Sequence, residues 1–71
     1  MTAQFWSELT TDDLARRDMG RAIAVLPVAA TEQHGPHLPL ATDTLIAEGY
    51  LARVRGGVPA DLDVLLLPVQ P

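Results

Sequence analysis

Two uninterrupted apolar runs constrain this chain most: Arg21-Ala22-Ile23-Ala24-Val25-Leu26-Pro27-Val28 and Val64-Leu65-Leu66-Leu67-Pro68-Val69. Neither alternates polar with apolar residues, and both contain β-branched side chains. Runs of this length and type read as strands buried on both faces, as in a parallel sheet lying under helices. Each ends on Leu-Pro-Val, where a proline without an N–H is tolerable because pairing is about to stop. The echo has two readings, an internal duplication or two adjacent parallel strands with the same kind of exit into a functional loop. We adopt the second.

Between the runs, residues from Asp43 to about Arg55 read as a helix with Leu45, Ile46, Tyr50 and Val54 near one apolar stripe. Arg53 and Arg55 occupy its last turn, Gly56-Gly57 offer a left-handed terminal residue, and Pro59 prevents continuation. Ahead of the first run, Thr10 caps a short helix whose first turn holds Asp12 and Asp13. It is expected to run to about Met19, with Arg16 and Arg17 in its last turn and Gly20 ending it. Phe5, Trp6 and Leu9 precede it as an apolar cluster expected to cover the edge of the core. The order strand, loop, helix, strand is one right-handed crossover. It is the fold class of an α/β protein, a portion of a three-layer α/β/α domain with a mainly parallel sheet. Two such strands cannot cover their own faces and edges. The chain is therefore expected to fold with the remainder of a larger domain or with a partner.

The first run delivers the chain into Glu32, and open α/β sheets bind ligands beyond the carboxyl ends of their strands. From Glu32 to Asp43 the sequence collects two carboxylates and two imidazoles, donors that divalent metals take when no thiolate is present. Gly35, Pro36 and Pro39 stiffen this stretch into a loop. In an extended Glu32-Gln33-His34 segment, Glu32 and His34 project to one side and Gln33 to the other. Asp43, at the start of the helix, is favoured there by the macrodipole, and it can face the pair if the loop folds back. Each group also has a plainer role: Glu32 as a turn cap, Asp43 as a helix cap, His34 as a hydrogen-bonding loop residue. Gly56-Gly57 is a turn and not a phosphate cradle, since no Lys-Ser/Thr follows.

The run Leu26-Pro27-Val28-Ala29-Ala30-Thr31-Glu32-Gln33-His34-Gly35-Pro36-His37-Leu38-Pro39-Leu40, followed by Thr42-Asp43, resembles the N-terminal signature of the creatininase (creatinine amidohydrolase) family. The resemblance implies a metal-dependent amidohydrolase that cleaves a small cyclic amide or a related C–N bond with metal-activated water. It also implies a usually oligomeric protein with two divalent ions, Zn or Mn, in each complete site. By the same resemblance Glu32 binds one ion, His34 the other, and Asp43 bridges both. His37 has no ligand role there and is assigned to the loop or the pocket rim. Members of the family are several times longer and bring further His and Glu ligands from later segments. Residues 1–71 are thus expected to form a single segment, the N-terminal part of such a domain, carrying part of the site. A catalytic proton donor is not identifiable. The alternative is a truncated, catalytically inert fragment that serves as an assembly or metal-binding module.

Composition supports one segment of this kind. Seventy-one residues with 48% apolar and 20% charged side chains make at most one small core. Zero cysteines exclude a disulfide staple and any thiolate site. A net charge of −4, with five basic residues that are all arginine and scattered, argues against nucleic acid as a partner. The longest apolar run, Ala22 to Ala30, falls far short of the roughly 20 residues a membrane helix needs. The first residues, Met1 to Glu8, lack the basic and apolar regions of a signal peptide. These features set the expectation of a cytoplasmic protein acting on a small-molecule amide, as a homo-oligomer or joined to the remainder of its domain.

Overall fold

The computed structural model describes residues 3–71. Three short strands, β1 (Gln4–Phe5), β2 (Ile23–Val25) and β3 (Val64–Leu66), form a parallel sheet in the order β1-β3-β2. Two helices, α1 (Thr11–Ala15) and α2 (Thr42–Gly57), accompany them, with a single 3-10 turn at Trp6–Glu8. The two apolar runs are thus parallel neighbours in an α/β arrangement, as their shared character implied.

The central strand holds the core. Val64, Leu65 and Leu66 are all buried, and Ala3, Val64 and Leu66 form a cluster onto which Phe5, Leu51 and Val58 pack. Alternation along β3 sends Val64 and Leu66 toward α2 and Leu65 to the opposite face. The other strand does not meet the expectation of burial. Ile23 is 46% and Val25 37% exposed, although they pair with Val64 and Leu66 and share their face. The reason is placement: α2 lies over β1 and β3, and no described element covers the outer strand.

Beyond Val25 and Leu66 the two Leu-Pro-Val exits run side by side. The strands pair Val25 with Leu66, but the next bridge joins Val28 to Gln70, a slip of one residue. Pro27 and Pro68 have no N–H to continue the ladder. The Pro27 carbonyl instead accepts from the Gln70 N–H at 3.0 Å, and the Ala29 N–H donates to the Gln70 carbonyl at 2.8 Å. The prolines therefore end the regular sheet at one height on both strands and free the chain to turn into the loop.

Four other sequence expectations need correction. β1 was not foreseen: Phe5, assigned to an edge-covering cluster, ends a two-residue strand that pairs Gln4 with Leu65 and Phe5 with Leu66. α1 stops at Ala15 rather than Met19, because Arg17 turns away to tertiary partners. α2 runs on to Gly57 and passes into an extended Val58, so Gly56-Gly57 adopt no left-handed conformation. Its buried face is also not the expected one. Leu51 and Val58 reach the core, while Leu45, Ile46, Tyr50 and Val54 stand 47–69% exposed on the helix's outer surface.

α1 begins with a capping box, in which the Thr10 side chain accepts from the Asp13 N–H and the Asp13 carboxylate accepts from the Thr10 N–H. Arg17 then ties the segment to the sheet. Its Nε donates to both oxygens of Asp63 at 3.1 Å, and its Nη2 donates to Asp63 Oδ1 and Gln4 Oε1, each at 2.7 Å. A fork of this kind on a carboxylate adds direction as well as energy. Arg55 makes a second strap, 4.9 Å above the Phe5 ring and 2.9 Å from Glu8 Oε1. No helix among the described residues is long and apolar enough to cross a membrane.

The Arg17 guanidinium, by hydrogen bonding, holds the Asp63 carboxyl below its ordinary range. A depressed folded-state pKa contributes stability above the unfolded value of about 3.9, and that contribution is lost as pH falls through the lower folded value. Urea unfolding followed from pH 5 down to pH 2 is therefore expected to show falling stability, with a smaller fall in Asp63→Asn.

Candidate metal centre

The loop between β2 and α2 is closed at its neck. The Glu32 N–H donates to the Leu40 carbonyl at 3.1 Å, joining the start of the loop to its end. Thr42 tightens the far side, its Oγ1 donating to the Pro39 carbonyl at 2.6 Å and its N–H to the same oxygen at 3.2 Å. Inside the loop, Gly35 has φ +77°, the one positive φ among the described residues. That value lies in the left-handed region, which a side chain disfavours. The Gly35 N–H donates to Gln33 Oε1 at 2.9 Å, and the chain bends over 36–38.

Closure brings three side chains together. One ligand atom each of Glu32, His34 and Asp43 lies within 4.8 Å of the others. Asp43 stands in the first turn of α2, whose N-terminus has no side-chain cap. His34 and Asp43 are half-buried, and Glu32 is exposed at the mouth.

The His34–Asp43 pair tests whether a cation fits. His34 Nε2 lies 3.2 Å from Asp43 Oδ1, yet Nε2 is shielded from solvent and has no hydrogen-bond partner. A buried imidazole nitrogen without a partner is costly. Two donors on one tetrahedral zinc, at bonds of 2.0–2.2 Å, stand roughly 3.3 Å apart. The pair has the separation of two donors on one ion and lacks the alignment of a hydrogen bond. Two carboxylates beside an imidazole are also a donor set that divalent cations take. The donor set and the unpartnered nitrogen fit a divalent ion.

His37, the second imidazole of the loop, is not among the converging groups. Its ring turns back over Gly35, with Nδ1 and Cε1 each 3.6 Å from the position a Gly35 Cβ would occupy. Two features escaped the sequence reading. One is the Gln33 contact to Gly35, which a Gln-X-Gly spacing could have suggested. The other is the buried, unpaired hydroxyl of Thr44, next to Asp43, for which the sequence carries no signal. A cleft of about 300 Å³ lined by residues including Phe5, Ser7, Glu48, Leu51 and Leu66 lies beyond the carboxyl ends of β1 and β3. It shares no residue with the three donors.

Comparison with known proteins places these residues in context. The family model described as creatinine amidohydrolase matches residues 7–71. A protein named mycofactocin precursor peptide peptidase from Mycolicibacterium smegmatis is 50% identical over 48 residues, which cover 65% of this chain and 19% of that protein. Its namesake from Mycobacterium tuberculosis is 51% identical over 37 residues, 52% of this chain and 15% of that protein. The one from Mycobacterium ulcerans is 70% identical over 23 residues, 32% and 9% respectively. The chain thus spans less than a fifth of the length of these relatives. No solved structure matches it.

The left-handed turn gives a direct test. Gly35→Ala is expected to destabilise the fold by about 1–2 kcal/mol. Gly57→Ala, in a helix with open space at that position, is expected to leave stability unchanged or raise it by up to about 1 kcal/mol. Urea denaturation of the two variants beside the parent measures both.

Proposed function

We propose, from the premise that this chain belongs to the creatininase family, that it carries the first part of the active site of a metal-dependent hydrolase of amide C–N bonds. The observation that carries the proposal is the meeting of Glu32, His34 and Asp43, with His34 Nε2 buried and unpartnered beside Asp43 Oδ1. The three residues would supply part of the ligand set of two divalent ions, Zn or Mn, Glu32 to one, His34 to the other and Asp43 to both. Segments of the domain beyond these residues complete the site. Its relatives' shared name, mycofactocin precursor peptide peptidase, favours a peptide-type amide over a small ring as the bond cleaved.

The roles follow from the chemistry of each group. Glu32 and Asp43 present carboxylate oxygens, that of Asp43 from the first turn of α2. His34 presents its Nε2 3.2 Å from Asp43 Oδ1. Glu32, His34 and Asp43 would hold a divalent ion, which when bound would acidify a water and polarise the scissile carbonyl. Hydrolysis then adds water across the C–N bond, giving a carboxylic acid and an amine. The exposure of Glu32 leaves the donors open on one side for substrate.

The uncovered strand β2 and the apolar outer face of α2 support a larger setting. Leu45, Ile46, Tyr50 and Val54 form a row that soluble proteins normally cover. In this reading the remainder of the domain, or a second subunit, lies against them, and residues 1–71 act as one segment of that unit.

Glu32→Ala and Asp43→Ala, made in the complete gene product, test the assignment. Each is expected to lower affinity for Zn²⁺ or Mn²⁺ by more than the roughly 10–100-fold that loss of an outer-shell partner costs. Each is also expected to abolish peptide-amide hydrolysis. Metal content equal to the parent's would contradict the assignment.

A further inference from the structure

The loop is fixed at its neck by backbone bonds, but its inner corner depends on one side chain. Gln33 sits between two of the donors and does not join them. Its Oε1 accepts from the Gly35 N–H at 2.9 Å. Among the described residues this is the sole side-chain hydrogen bond made between Glu32 and Leu38. It bridges His34 and ends on the N–H of Gly35, the residue with φ +77°. His34 Nε2 has no hydrogen bond of its own to orient it. The direction of that nitrogen toward Asp43 is therefore set by the backbone at 34–35, which the Gln33 carboxamide holds.

We propose that Gln33 is a positioning residue, which sets the aim of His34 Nε2 at the metal by bonding the Gly35 N–H and without touching the ion. The inference rests on the metal-site reading above and extends it to a residue that presents no ligand. A glutamine here reaches the N–H two residues on, the bond that Asn and Asp make in short turns. Outer-shell groups of this kind govern metal affinity because they hold a donor in its binding direction before the ion arrives. Without the carboxamide, the peptide joining His34 to Gly35 loses its anchor and His34 samples directions away from Asp43.

The test compares Gln33→Ala, Gln33→Asn and His34→Ala in the protein purified with every segment its gene encodes. Zn²⁺ affinity is measured by chelator competition, and Co²⁺ coordination by visible absorption. Unfolding of the metal-free form serves as the measure of fold. Gln33→Ala is expected to weaken Zn²⁺ binding by about 10–100-fold and to alter the Co²⁺ spectrum, with metal-free unfolding unchanged. Gln33→Asn, which keeps an acceptor for the Gly35 N–H, is expected to restore most of the affinity. Parental affinity in Gln33→Ala, together with a large loss in His34→Ala, would overturn the role of Gln33 and leave the metal site standing. Equal losses in the Ala and Asn variants would also overturn it, since side-chain bulk and not the hydrogen bond would be responsible. Parental affinity in His34→Ala would overturn the metal reading itself, and the role of Gln33 with it.

Discussion

The bond from the Glu32 N–H to the Leu40 carbonyl decides the rest of the arrangement. It joins the exit of one strand to the approach of α2, so a loop of nine residues begins and ends at nearly the same place. Without that closure Asp43 would be a capping residue on a distant helix. With it, Asp43 comes within 4.8 Å of two donors from the other end of the loop. Proline at 36 and 39 reduces the entropy lost on closing, because the chain has fewer conformations to give up. Gly35 supplies the one backbone conformation that other residues resist.

The sheet supplies the platform for this loop. β3 is buried between its two neighbours, and its pairing with β2 sets the height at which both chains leave the sheet. The prolines of the paired exits end the ladder together, and the one-residue slip to Gln70 carries both ends into irregular structure. Arg17, gripping Asp63 and Gln4, ties the opposite end of β3 to its other neighbour, β1. The outer face of α2 and the far side of β2 are apolar and uncovered, which places them among the surfaces most dependent on further chain.

Much of this was legible in the sequence, for reasons that can be named. The apolar runs at 21–28 and 64–69 lack alternation, so a parallel pair was readable, and the density of Gly and Pro at 35–39 marked a stiff loop. That Glu32, His34 and Asp43 meet was legible chiefly through the family signature at 26–43, beside the clustering of carboxylates and imidazoles where such sheets place ligands. What escaped depended on tertiary contacts. β1 is two residues long, too short for any period, and it exists because β3 has an open edge to pair with. The early end of α1 follows from the attraction of Arg17 to Asp63, forty-six positions away. The buried face of α2 was misread because the helix is apolar on more than one side, and pattern alone cannot say which side meets β3 and which awaits other chain. The left-handed residue was placed at Gly56-Gly57, where glycine is common after helices, whereas the structure needs it at Gly35.

The account turns on whether three side chains from the two ends of one loop share a cation. Anomalous diffraction at the zinc absorption edge, from crystals of the whole gene product grown with Zn²⁺, addresses this most directly. The account predicts an anomalous peak bonded to His34 Nε2 and to Asp43 at roughly 2.0–2.2 Å, with Glu32 on the same ion or its neighbour. A peak at some other group of residues, with the His34 and Asp43 side chains turned apart and the space between them filled by protein, would contradict it.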